Sequence, residues 1–180
     1  MMSRRAAALG VLAALVAAPT ASAQTAPVAS ARLQGSFELA GRITTAVNVL
    51  GERRGQTFTR TWTFTPQCPA GPCSSVTLSR PRAGGTDRVP LTERSPGQYA
   101  GSGQFYAPLS CSGRLYPRGQ SVPFSVKVTI TTAIVDSNGT VVAARISATY
   151  SNRARSNLTP CVEPPSHDAA SYHGHLSSTG

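Results

Sequence analysis

Lysine is almost missing from this chain, acids are few, and outside the first two dozen residues no apolar run is long enough to cross a membrane. Lys127 is the only lysine among 17 basic residues, which face just seven acids. Those acids are scattered, with no close carboxylate pair of the kind that performs glycoside hydrolysis. A G-x-S-x-G nucleophile elbow is absent as well. Ser166-His167-Asp168 has the letters of a catalytic triad, but three consecutive side chains diverge and cannot form the relay. Helical periodicity is lacking beyond the N-terminus, and no internal repeat occurs, which sets aside helical bundles, α/β folds and solenoids. The composition favours a protein that is not an enzyme and needs no cofactor; a hydrolase whose site converges from distant residues is the alternative it leaves open.

What is present starts with an export signal. Arg4 and Arg5 form a charged start, Ala6 to Ala18 an apolar stretch, and Ala21-Ser22-Ala23 a small-residue cleavage site, so residues 1–23 read as a secretory signal peptide. Gln24 follows the expected cut where a lipid anchor would need cysteine. The expected product is a secreted, extracellular chain of 157 residues, from 180 less 23, without a membrane span. Setting Arg4 and Arg5 aside, fifteen basic residues face seven acids, a net charge of +8. An acidic cell-envelope polymer is one partner such a charge suits. The arginines are strewn singly, with Arg53-Arg54 the one adjacent pair, which GC-rich coding also explains; specific nucleic-acid binding is not expected.

Four cysteines, Cys68, Cys73, Cys111 and Cys161, all lie in the exported part, and an even number in an oxidising compartment reads as two disulfides. Three connectivities are possible. The turn chemistry of Cys68-Pro-Ala-Gly-Pro-Cys73 favours a local bridge there, leaving Cys111 with Cys161. Closing a loop of about fifty residues is worth roughly 4 kcal/mol in the chain-entropy account. Zinc is the competing use of four cysteines, but a second close pair is missing.

Residues 24–34 are small and aperiodic and read as a flexible N-terminal extension, with a single β-domain over residues 35–180. From Phe37 to Val49 the odd positions are mostly apolar and the even ones polar, the period of a half-buried strand. Thr57 to Thr65 sets Phe58, Arg60, Trp62 and Phe64 on one face and five threonines on the other. Shorter strands follow at Ser75 to Arg80 and around Val89 and Leu91, the latter expected at an edge because of Pro90. Gln98 to Tyr106 contains Gly101 and Gly103, which suggest curvature or close backbone approach. Tyr116 to Ser121 reads as a loop, and alternation resumes from Val122 to Ile134. Asp136-Ser137-Asn138-Gly139 then predicts a hairpin returning through Val142 to Tyr150. Asn152 to Asp168 reads as a long loop, and Ser171 to Leu176 as a last strand.

About eight strands with mostly short connections predict an all-β, antiparallel up-and-down meander closed as a barrel, with a β-sandwich as the alternative. In length and strand count the chain is similar to lipocalins and streptavidin, a fold-level analogy that carries no function. The N-terminal Gly-x-Trp of lipocalins is missing, since the only tryptophan is Trp62. Trp62-x-Phe64-x-Pro66-x-Cys68, followed by Gly71-Pro72-Cys73, resembles a motif of small secreted all-β disulfide proteins of GC-rich bacteria, a group without an assigned activity. That resemblance implies export and a disulfide-braced β-domain, and no chemistry.

Arg60 is the sharpest functional candidate, because it shares an otherwise aromatic face. If that face lines a barrel, Phe58, Trp62 and Phe64 could hold the apolar body of a small ligand while Arg60 meets an anionic head. A solvent-exposed strand end, with Arg60 stacked on Trp62 or reaching water, explains the same letters. A second class of function is a secreted inhibitor or interaction module presenting the Cys68 to Cys73 loop. His173 and His175 would point to one face of a strand and are weak metal candidates; a polar outer face accounts for them equally. The threonine row is a solvent face of high β-propensity.

Overall fold

The alternation of the sequence becomes an inside and an outside. The computed structural model describes residues 25–178, and the expected signal peptide lies outside these described residues. Its strands in chain order are β1 (Thr25–Ala26), β2 (Gly35–Val47), β3 (Thr57–Pro66), β4 (Ser75–Arg82), β5 (Gly85–Ser95), β6 (Gln98–Cys111), β7 (Arg114–Val135), β8 (Val141–Asn152), β9 (Ser156–Asn157) and β10 (His167–Ser178). Eight of them, β2 to β8 and β10, pair antiparallel with their chain neighbours, and β10 returns to β2 to close the barrel. This is the up-and-down barrel, not the sandwich. Closure pairs each of these eight strands on both sides over at least part of its length.

Inward residues fill the barrel from one end. Phe37, Leu39, Phe64, Val76, Leu78, Leu91, Val126 and Ile146 are all buried, each contributing about 1.5–3 kcal/mol by leaving water. The register sets Phe37 opposite Trp62 and Leu39 opposite Arg60, so the apolar face expected of the second long strand does turn inward. A Cβ on Gly101 would collide with the Pro90 carbonyl oxygen, and one on Gly103 with the Phe124 ring, so both glycines serve close approach. Outward positions such as Glu38, Arg42, Thr61, Gln104, Lys127 and Arg145 are polar and exposed, unlike the apolar band that a transmembrane barrel turns to lipid. Among the described residues, no helix is long and apolar enough to cross a membrane.

Several boundaries differ from expectation, each for a local reason. Residues 25–34 are packed rather than loose: β1 pairs with β7, a short 3-10 turn spans Val28–Ser30, and Ala31 and Leu33 are buried under one end of the barrel. Arg32 lies there too, its backbone bridging β8 and its guanidinium donating to the carbonyls of Gly71 and Cys68 and to Gln34 Oε1. The Cys68–Cys73 disulfide closes that loop, and the Tyr99 hydroxyl donates to the Cys73 carbonyl at 3.0 Å. Pro90 sits in an interior strand, tolerated because the β5–β6 ladder covers only Thr92 to Ser95 and demands no N–H from it. Tyr116 to Ser121 is strand, part of a β6–β7 ribbon that runs to Cys111 and Arg114. The second disulfide, Cys111–Cys161, ties this ribbon to the β8–β10 connection, which also carries β9 against β7. The Asn-Gly hairpin forms as expected, with Gly139 at φ 78° and the Asp136 carboxylate accepting from the Asn138 and Thr140 amides.

Candidate functional site

Packing stops short of the end opposite the Arg32 plug. There the β3–β4 ladder is confined to Thr63–Pro66 against Val76–Ser79, and the β5–β6 ladder has not yet begun. The upper β4–β5 hairpin therefore pairs with itself but with neither flanking strand, and the interior beside it holds a pocket of about 360 Å³. Its apolar part comes from Phe58 and Trp62 of β3, Phe105 of β6, Tyr150 of β8 and Tyr172 of β10. Tyr172 joins the aromatic group together, 4.7 Å from the Trp62 ring at a 47° tilt and 5.6 Å from Phe58 in an edge-on contact. Phe58 fits because Gly41 lies against it: a Cβ there would stand 2.7 Å from the ring's Cζ.

Four arginines line the same pocket, and they are not equivalent. Arg80 and Arg82 both pair with Asp87, at 2.9 and 2.8 Å. Arg80 is buried with its guanidinium 4.2 Å from the centre of the Phe124 ring and 4.8 Å from Tyr150, a desolvated cation held by π faces as well as by its carboxylate. Arg155 pairs with Asp168 at 2.7 Å. Arg60 is exposed, stacks 4.8 Å over Phe58, and gives Nη1 to the Thr59 carbonyl; among the described residues it makes no ion pair. Glu52, on the β2–β3 loop, is the remaining acid at the pocket. Burial pushes its carboxyl above the usual value, Asp168 adds repulsion, and Arg155 and Arg60 partly offset both. Burial likewise raises the Tyr150 and Tyr172 hydroxyls, which stay neutral donors at any ordinary pH.

Of the residues singled out in the sequence, Phe58, Arg60 and Trp62 meet at this pocket. Phe64 does not: it lies deeper in the core, edge-on to Phe37 at 5.4 Å. Arg60 stacks on Phe58 rather than on Trp62. Alternation could have found Arg80 and Arg82, which continue the inward row of Val76 and Leu78, whereas Glu52 and Arg155 come from connections that carry no periodic signal. His173 and His175 are exposed on the outer face, and among the described residues no group of three or more His, Cys, Asp or Glu side chains could hold a metal ion. Ser166 and Asp168 are buried, but Ser166 accepts the Arg155 amide through its carbonyl and Asp168 takes the Arg155 side chain, so no relay forms with His167. The threonines at 57, 59, 61 and 65 are exposed, as a solvent face requires. No protein-family model, curated protein or solved structure matches this chain.

Proposed function

We propose that this is a secreted, non-catalytic binding protein whose open barrel end takes a small ligand with a flat apolar body and an anionic group. The observation that carries the reading is Arg60: a cation on the inward row of β3 beside an aromatic floor, in no ion pair among the described residues. Small-molecule sites run from about 300 to 1,000 Å³, and a pocket at the low end of that span suits an aromatic acid better than a long acyl chain. The interior beneath it is packed, which also disfavours a deeply threaded tail. Two disulfides and the N-terminal signal support an extracellular setting.

Trp62 provides the test, because the only tryptophan lines the pocket. Its emission should be quenched or shifted by aromatic carboxylates, more strongly than by their neutral methyl esters. An unchanged spectrum across acids, esters and fatty acids would sink the proposal. A second reading has its own support: Arg32 and Tyr99 brace the Cys68–Cys73 loop while residues 69–72 stay exposed, so it is preorganised for a protein partner. Retention of a protein on the immobilised parent chain, lost when Pro69 and Pro72 are replaced by alanine, would favour that reading. Salt-sensitive adsorption to cell wall would instead favour an acidic envelope polymer on the outer arginines.

A further inference from the structure

The wall of the barrel is open along one side of the pocket. Above Thr63 on β3 and Ser79 on β4 no ladder joins the two strands. The resulting slot is lined by Thr59, Arg60, Thr61, Pro81, Arg82 and Ala83. Arg60, Pro81 and Arg82 also line the pocket itself, so slot and pocket share a boundary built from two guanidinium groups. Arg82 gives Nε to Asp87 and Nη1 to the Ala83 carbonyl, while Arg60 gives Nη1 to Thr59. Each guanidinium has five N–H donors, so both keep donors to spare. Among the described residues the carboxylate paired with Arg82 is Asp87, which it shares with Arg80.

We propose that the ligand reaches the pocket sideways, through the β3–β4 slot, and leaves its anionic group there between Arg60 and Arg82 while its flat body extends inward to Trp62 and Tyr172. This rests on the pocket being a ligand site and specifies the ligand class: an aromatic sulfonate or carboxylate with the acid at one end. Electrostatics separate this route from the one along the barrel axis. Toward the axial mouth Arg155 neutralises Asp168 and leaves the Glu52 carboxyl, whereas the slot carries Arg60 and Arg82, of which Arg60 is in no ion pair among the described residues. Arg60 is inward by strand parity yet exposed, in the stretch of β3 that has no β4 partner.

The experiment uses two probes that share one apolar body, anilinonaphthalene sulfonate and the uncharged phenylnaphthylamine, titrated against Trp62 emission of the full exported chain with both disulfides intact. The sulfonate should bind about tenfold tighter than the neutral probe, the ratio expected from one charge-assisted hydrogen bond. Arg60→Gln and Arg82→Gln should each bring the ratio of sulfonate to neutral-probe affinity from about ten to near one, and an unchanged far-ultraviolet circular dichroism spectrum checks that the barrel is still folded. Thr61→Phe, at the exposed lip of the slot and clear of the Arg82 ion pair, should slow sulfonate association severalfold. An Arg82→Gln protein that binds the sulfonate normally, or a Thr61→Phe protein with an unchanged association rate, overturns the lateral route while the pocket reading stands. If neither probe alters Trp62 emission, the pocket reading itself fails.

Discussion

Arg32→Met removes the guanidinium that joins the N-terminal segment to the Cys68–Cys73 loop while keeping an unbranched apolar stem. The side chain is 8% exposed and donates to the Gly71 carbonyl at 2.8 Å, to the Cys68 carbonyl, and to Gln34 Oε1 at 2.7 Å. Hydrogen bonds from a charged donor contribute about 1.5–3 kcal/mol each. Gln34 can turn to water, and the loop carbonyls can partly rehydrate, so the two backbone bonds count at the lower figure, a total near 3 kcal/mol. For a domain of this size that corresponds to a fall in melting temperature of about 6–12 °C. Scanning calorimetry reads the shift, and urea unfolding checks that it reflects stability rather than a change in m. Combining Arg32→Met with replacement of both Cys68 and Cys73 should give less than the sum, since both devices restrain the same loop. A melting temperature within about 2 °C of the parent would refute the reasoning, as it would put the clamp below 1 kcal/mol.

Three further outcomes follow from the same geometry. Leu33→Ala should cost about 2–5 kcal/mol in urea unfolding, because Leu33 is wholly buried beneath the closed end; a loss under about 1 kcal/mol would mean that the N-terminal segment is not part of the core. Glu52 has a folded-state pKa above its ordinary 4.5, so charging it burdens the folded chain more than the unfolded one; this penalty is absent below pH 4.5 and complete above the raised value. Glu52→Gln should therefore raise the melting temperature at neutral pH and lose that advantage below pH 4.5, and a pH-independent advantage would contradict it. In the parent, protonating Glu52 removes a negative charge from a site it shares with Asp168, Arg155 and Arg60, so an anionic ligand should bind more tightly as pH falls through that range. Amide hydrogen exchange should be faster in the upper β4–β5 hairpin, residues 80–88, than in residues 76–79 of β4, which pair with both β3 and β5; even protection along β4 would show that the slot closes in solution.

Much of the barrel was legible because a strand announces its two faces every second residue. Phe37 through Ile43, Val122 through Ile130 and the Asp136 to Gly139 turn were placed by that period and by turn chemistry alone. The same parity marked Arg60 as a cation on an inward face, and two more residues along β4 it would have marked Arg80 and Arg82. Depth is a different matter. Phe58 and Phe64 share a face, yet six residues at about 3.3 Å each separate them by some 20 Å, enough to put one at the mouth and the other in the packed core. Residues 24–34 read as a flexible extension because an irregular segment laid across a barrel end has no period to display.

The sequence by itself determined the all-β class and the antiparallel order, favoured the local Cys68–Cys73 bridge, and marked the aromatic face that holds Arg60. Each of these is local, set by alternation, by a turn or by residues a few positions apart. Only the tertiary structure decided that this face ends in a pocket. That outcome depends on where neighbouring ladders stop, and on which loop delivers Glu52 or Arg155 to the same space as Trp62. Backbone pairing is a relation between distant strands, and nothing in either strand alone states how far it will run.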